Sequence, residues 1–127
     1  MSTIQMDNLV KKYGTGENSV MAVRGISAGI QSGELIAIMG ESGSGKSTLL
    51  SMMGALNTPT SGKYRVDEID VYALGQEERA DFRRKSLGFV FQSFHLIPHL
   101  TVRENVMLAL APAKMKGKMK QAMADLF

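Results

Sequence analysis

The sequence predicts an α/β domain organised around one strand–loop–helix unit, and three observations lead there. Leu35-Ile36-Ala37-Ile38-Met39 is an unbroken apolar run. Such a run fits a strand buried on both faces, as in a parallel sheet covered by helices. A glycine-rich segment, Gly40-Glu41-Ser42-Gly43-Ser44-Gly45, follows it directly. Lys46 to Leu56 then carries helix formers, with Leu49, Leu50, Met53 and Leu56 at helical spacing.

The other elements follow in chain order. Ile4 to Val10 predicts a short strand. Gly14 to Ser19 is polar and glycine-containing, hence a loop. Val20 to Ile30 alternates loosely and predicts a strand, with Gly25 and Gly29 as irregularities. Gln31-Ser32-Gly33-Glu34 is a turn. Asn57-Thr58-Pro59-Thr60-Ser61-Gly62 breaks the helix. Tyr64 to Val71 predicts a strand, Gln76 to Ser86 an exposed helix, and Leu87-Gly88-Phe89-Val90-Phe91 a second buried strand. Thr101-Val102-Arg103-Glu104 has the pattern of a capping box. It opens a helix running to about Leu110, stopped by Pro112. Lys114 to Phe127 predicts a further helix with no stop signal before the last residue, so the sequence is expected to be part of a longer domain.

Bulk properties narrow the function classes. The 127 residues are 44% hydrophobic and 21% charged, the composition of a globular domain with a real core. The net charge of +3 is spread along the chain. Arg83-Arg84-Lys85 and the lysines at 114, 116, 118 and 120 read as solvated helix faces, and no nucleic-acid partner is expected. The chain has no cysteine, which excludes disulfides, cysteine-based zinc sites and thiol catalysis. Its ten methionines read as adaptable core filler. No apolar stretch is long enough to span a membrane, and residues 1–18 lack the charged-then-apolar pattern of a signal peptide. A cytosolic location is expected.

The chemistry lies in the glycine-rich loop. Gly40-Glu41-Ser42-Gly43-Ser44-Gly45-Lys46-Ser47 fits G-x-x-x-x-G-K-[ST] at every fixed position. Glycines let a backbone wrap closely around phosphate oxygens and aim its N–H groups inward. The helix that follows adds free N-terminal donors and the positive end of its dipole. Lys46 supplies a full charge for the β- and γ-phosphates. The Ser47 hydroxyl suits Mg²⁺, a hard cation that prefers oxygen. Thr48 is within reach of an α-phosphate oxygen. A glycine-rich turn carrying an accidental lysine does not account for the strand before it and the helix after it. A nucleoside triphosphate, with ATP and Mg²⁺ as the expected pair, is the ligand this loop implies.

Further motifs resemble one family. Gly43-Ser44-Gly45-Lys46-Ser47-Thr48-Leu49-Leu50, then Pro59-Thr60-Ser61-Gly62, then Phe89-Val90-Phe91-Gln92, then Leu100-Thr101-Val102-Arg103-Glu104-Asn105-Val106 resemble the N-terminal half of an ABC-transporter ATPase. Within that family the likeness is to the macrolide-exporter and lipoprotein-release type, through Ile38 to Gly45, Tyr64-Arg65-Val66, and Gly88 to Gln92 running on to Thr101. Cell-division and amino-acid-uptake members share much of it. The resemblance covers nearly the whole chain. It implies a P-loop NTPase fold of ABC type: an antiparallel β-subdomain mainly from 1–34 and 62–73, a P-loop core from 35–56 and 74–92, and the start of a helical subdomain from 93–127, with the C-terminal half absent. It also implies that Tyr13 stacks on adenine, a role suited to a flat aromatic ring. Gln92 would ligate Mg²⁺ through its amide oxygen and orient the attacking water. The catalytic pair implied is Lys46 and Gln92, and the metal ligands are Ser47 and Gln92. The implied partners are a transmembrane permease subunit and a second ABC ATPase domain, as a homodimer. Membrane contact would come only through the permease, on the inner face of the cell membrane. Glu68 is a departure, since relatives often carry glycine near that turn.

Hydrolysis in this family needs a signature segment, an aspartate closing an apolar strand, a following glutamate base and a switch histidine. None occurs in these 127 residues. His95 and His99 do not sit after a late strand. A metal pair there is disfavoured, because no third ligand is evident and Pro98 opposes a helix that would align them. The chain alone is therefore expected to bind ATP without useful turnover, and to be poorly stable with apolar strand edges open. An ATP-binding regulatory module without transport is the alternative. A small kinase fits less well, because Gln92 and Leu100–Val106 have no reason to co-occur there.

Overall fold

The computed structural model describes residues 3–110, so the helix predicted over 114–127 lies outside the described residues. The chain divides into two compact units, the first running to Leu87 and the second beginning at Gly88.

The first unit is built on a four-stranded antiparallel sheet. Strand β1 (Thr3–Tyr13) pairs with β2 (Val20–Gln31) on one side and with β3 (Ser61–Val66) on the other, and β3 pairs with β4 (Ile69–Asp70), giving the order β2-β1-β3-β4. Strand β1 runs longer than its hydrophobic pattern predicts, because the ladder carries pairing through Lys11, Lys12 and Tyr13, while β2 gains only Gln31, paired with Thr3. The irregularity expected at Gly25 is a bulge in β1. Asn8 takes a left-handed φ of 45° where the register shifts on both neighbours, a conformation that asparagine tolerates. Gly25 lies against the Asn8 side chain, and a Cβ at Gly25 would meet Asn8 Oδ1.

Helix α1 (Lys46–Met53) packs its buried Leu49 and Met52 onto one face of the sheet. Met6, Leu9, Val23, Ala55, Tyr64, Val71 and Phe82 complete the core. Burying such side chains contributes roughly 1.5–3 kcal/mol each, before chain entropy opposes it. Phe82 comes from α2 (Gln76–Ser86), whose bounds match the predicted helix. Arg83 of α2 donates to the Ala55 carbonyl at 2.8 Å and Arg79 to Thr58 Oγ1 at 2.9 Å, tying α2 to the end of α1.

Four expectations are corrected. The helix predicted to Leu56 ends at Met53, where Gly54 caps it and its N–H returns to the Leu50 carbonyl. The strand predicted over Tyr64–Val71 is a hairpin. Asp67 turns it with φ 54°, its N–H and carboxylate both bonded to the Thr3 backbone, while Glu68 follows in the turn. The run Leu35–Met39 is neither paired nor buried, with Leu35 at 99% and Met39 at 88% exposure; only Ile38 packs against the core. The Leu87–Phe91 segment likewise has no ladder, and Val90 is fully exposed. A strand exists through hydrogen bonds to a neighbour, and among the described residues no strand lies beside either run.

Within the second unit, α3 (Val102–Leu110) starts as predicted. Glu104 Oε2 accepts from the Thr101 N–H at 2.8 Å, and Thr101 Oγ1 accepts from the Glu104 N–H at 3.3 Å. Asn105 accepts from the Ile97 N–H and donates to the carbonyls of Ile97, Leu100 and Thr101, which fixes the approach to α3.

Candidate phosphate-binding site

The glycine-rich loop delivers the chain into α1 through Gly45. This residue is the N-cap, with φ 95° and ψ 6°, in the left-handed region. A side chain there would also strike the Ala22 carbonyl oxygen of β2. Backbone conformation and close approach both require glycine, as the motif demands. Ser44 N–H donates to the Glu41 carbonyl at 3.2 Å, a turn that curls the loop over Glu41, Ser42 and Gly43.

The first intrahelical bond runs from Leu49 N–H to the Gly45 carbonyl at 2.9 Å. The N–H groups of Lys46, Ser47 and Thr48 therefore precede the ladder and have no intrahelical acceptor. They sit at the positive end of the α1 dipole, the arrangement that favours an anion. Lys46 Nζ donates to the Gly40 carbonyl at 2.8 Å, to the Glu41 carbonyl at 2.5 Å and to Ser44 Oγ at 3.3 Å. The ammonium thus lies over the loop, among oxygens that a phosphate group can replace. The Ser47 side chain is exposed at the first turn. This donor set fits a triphosphate: free amides, one ammonium, no carboxylate bonded to it, and one hydroxyl suited to a hard cation. A cleft of about 450 Å³ lies beside the loop, lined by Gly40, Gly43, Lys46, Ala22 and Arg24 among others.

Tyr13 ends β1 opposite Val20 and keeps 44% of its surface exposed. Its hydroxyl accepts from Asn57 Nδ2 at 2.6 Å, and Lys11 Nζ lies 5.1 Å from its ring centroid. Asn57 follows α1, so the ring and the glycine loop are attached to opposite ends of one helix. Gln92 belongs to the second unit and is exposed in the bend after Phe91. Near it, Phe91 stacks on Phe89 and meets the His95 ring edge-on. Among the described residues no cluster of histidine and carboxylate side chains is suited to a metal.

Sequence reasoning assigned no role to Asn57, Ser51 or Tyr72. Asn57 stood only as a helix breaker, and its bond to Tyr13 spans 44 positions, beyond any local pattern.

Comparison with known proteins bears on this site. Residues 23–127 match the model of the family described as ABC transporter. The chain is 48% identical to the lipoprotein-releasing system ATP-binding protein LolD of Geobacter metallireducens, over 91% of this chain and 51% of that protein. It is 43% identical to the macrolide export ATP-binding/permease protein MacB of Neisseria gonorrhoeae, over 98% of this chain and 19% of that protein. Among solved structures, the dimeric post-hydrolysis state of the ATP-binding cassette MJ0796 bound to ADP and Pi superposes with a TM-score of 0.84. It is 40% identical and covers 97% of this chain, which spans 54% of it. The chain thus spans about half the length of LolD and of the MJ0796 cassette and about a fifth of MacB.

Proposed function

The chain belongs to the ABC transporter family, and from that premise we propose that it carries the phosphate- and adenine-binding half of a cassette that powers export or release of a substrate through a partner permease. The observation that carries this reading is the Gly40–Thr48 loop closing on Lys46 at the free N-terminus of α1. Lys46 and the amides of Gly43 to Thr48 would hold the phosphates. Ser47 would supply one oxygen to Mg²⁺, and Gln92 of the second unit another. Tyr13 would stack on adenine. Bound Mg²⁺ would neutralise charge between the phosphates.

The likeness to MacB and LolD supports coupling to a permease, and the dimeric MJ0796 cassette supports pairing with a second ATPase domain. Among the described residues no helix is long and apolar enough to cross a membrane. The β-subdomain of 1–34 and 62–73, the P-loop core of 35–56 and 74–92, and the helical start from 93 belong to the same reading. So does a working location on the inner face of the cell membrane.

These 127 residues hold the cradle but neither a signature segment nor a glutamate base. The chain by itself therefore binds MgATP without useful turnover. Calorimetric titration with MgATP tests the first part, with binding weakened in Lys46→Ala. Steady phosphate release that Lys46→Ala abolishes would overturn the second.

A further inference from the structure

We propose that Asn57 is a positioning residue for the nucleotide base, holding the Tyr13 ring at a fixed offset from the phosphate-binding helix. The inference rests on the reading of Tyr13 as the adenine platform and extends it to a residue outside the motif. Asn57 Nδ2 donates to the Tyr13 hydroxyl at 2.6 Å and lies 3.3 Å from Ser51 Oγ. Ser51 Oγ in turn donates to the Thr48 carbonyl at 2.7 Å. A polar chain therefore runs from the ring, through Asn57 and Ser51, to the first turn of α1.

Asn57 is itself held from several sides. Its N–H donates to the Ser51 carbonyl at 3.2 Å. Its carbonyl accepts from the Tyr72 hydroxyl at 2.9 Å, and the same hydroxyl bonds the Met52 carbonyl at 2.6 Å. The amide is thus aimed at Tyr13 by a backbone that cannot easily turn. Lys11 adds a second constraint. Its ammonium donates to the Thr58 carbonyl at 2.6 Å while lying over the Tyr13 ring at 5.1 Å. That cation lies over one face of the ring, and Tyr13 as a whole stays 44% exposed.

One nucleotide must engage ring and loop together, so their separation has to match its length. A ring swinging freely about its side-chain bonds would have to be ordered at each binding event, and fixing it beforehand removes that cost. If Asn57 served only as a helix cap, its loss would weaken every ligand of α1 alike. As a positioning residue, it affects only ligands that carry a base.

The test compares MgATP with magnesium tripolyphosphate, which has the phosphates and no base, by calorimetric titration of the full chain. Asn57→Ala and Tyr13→Phe are each expected to weaken MgATP binding by roughly three- to tenfold. The double variant should be no weaker than the worse single one, because both remove the same bond. Tripolyphosphate affinity should hold in all three. Asn57→Asp should restore MgATP binding, since the tyrosine hydroxyl can reverse and donate to the carboxylate; it also serves as the variant that keeps the local fold. Equal losses for both ligands, additive losses in the double variant, or unchanged MgATP binding in Asn57→Ala would each overturn the proposal. Tyr13→Ala separates the two levels. If it spares the preference for MgATP over tripolyphosphate, the adenine-platform reading falls and this inference with it. If it abolishes that preference while Asn57→Ala and Tyr13→Phe do nothing, only the role of Asn57 falls.

Discussion

Lys46 Nζ lies 2.8 Å from the carbonyl oxygen of Gly40, six residues earlier, and so closes the glycine loop on itself. The same ammonium bonds Glu41 and Ser44. A lysine held this way keeps the loop in its curled form and presents a positive charge at its mouth. Binding a triphosphate exchanges carbonyl partners for more strongly accepting phosphate oxygens. Charge-assisted bonds of this kind contribute about 1.5–3 kcal/mol each, so Lys46→Ala should weaken MgATP binding by roughly ten- to a hundredfold. Lys46→Arg should also bind poorly, because a planar fork does not fit three oxygens grouped around a point charge. Circular dichroism should show both variants folded, since the loop is largely exposed. Normal binding by Lys46→Ala would remove the loop from the site.

Gly45 makes the loop possible and gives a second prediction. Its φ of 95° and its contact with the Ala22 carbonyl leave no room for a Cβ. Left-handed backbone alone costs an alanine about 1–2 kcal/mol, and the clash adds to that. Gly45→Ala should lower the melting temperature and abolish MgATP binding together. Gly43 also has a positive φ, but open space surrounds its missing Cβ. Gly43→Ala should therefore destabilise less. Thermal melts of the two variants, compared directly, check this order.

The paired tyrosines behind the site make alkaline stability informative. Burial pushes the hydroxyl of Tyr64 up from 10.0 to about 12. Burial likewise pushes Tyr72 up to about 12, opposed in part by Arg79 and Arg83. Their rings lie 6.2 Å apart. Both hydroxyls hold their protons more tightly when folded than when unfolded. Their contribution to stability is therefore complete below pH 10 and is lost as pH rises towards 12. Melting temperature should fall across that window, in step with the rise of phenolate absorbance. Tyr72→Phe removes the donor to Met52 and Asn57. It should cost about 1–2 kcal/mol at neutral pH and flatten the alkaline fall. An alkaline profile unchanged in that variant would show that Tyr72 does not titrate with the fold.

The parts that the sequence reveals are those set by local chemistry. The loop, the start of α1, all of α2 and the Thr101–Glu104 cap follow from residue types a few positions apart, and all are present. The antiparallel sheet is legible too, although its bulge at Asn8 and its hairpin at Asp67 are not. Those depend on which strand lies opposite. Leu35–Met39 and Leu87–Phe91 fail for a related reason. Their apolar runs describe an environment with strands and helices on every side, and no described strand provides it. Tyr13 is singled out only through the family resemblance. Its tie to Asn57 was not, because the contact is made only when β1 and the end of α1 meet.

The capping box of α3 supplies the acid-side prediction. Glu104 has its pKa held below 4.5 because its carboxylate accepts from the Thr101 N–H and then from the Thr101 hydroxyl. A depressed value means the folded state favours the ionised form. The stabilisation is present above pH 4.5 and is lost as pH falls through the lowered folded value. The first turn of α3 should fray on acidification, with the amide of Thr101 losing its acceptor first. Glu104→Gln can still accept that bond, though more weakly without the charge. Its α3 should be slightly looser at neutral pH and insensitive to acid over the same range. Thr101→Ala removes the hydroxyl that donates to the Glu104 carboxylate and accepts from the Glu104 N–H; the Thr101 N–H still donates, so the Glu104 pKa should move only part of the way back towards 4.5. Carboxyl titration by nuclear magnetic resonance, with Thr101 amide exchange followed alongside, reads both effects. A Glu104 that titrates at the ordinary value in the unaltered chain would mean the box does not persist in solution.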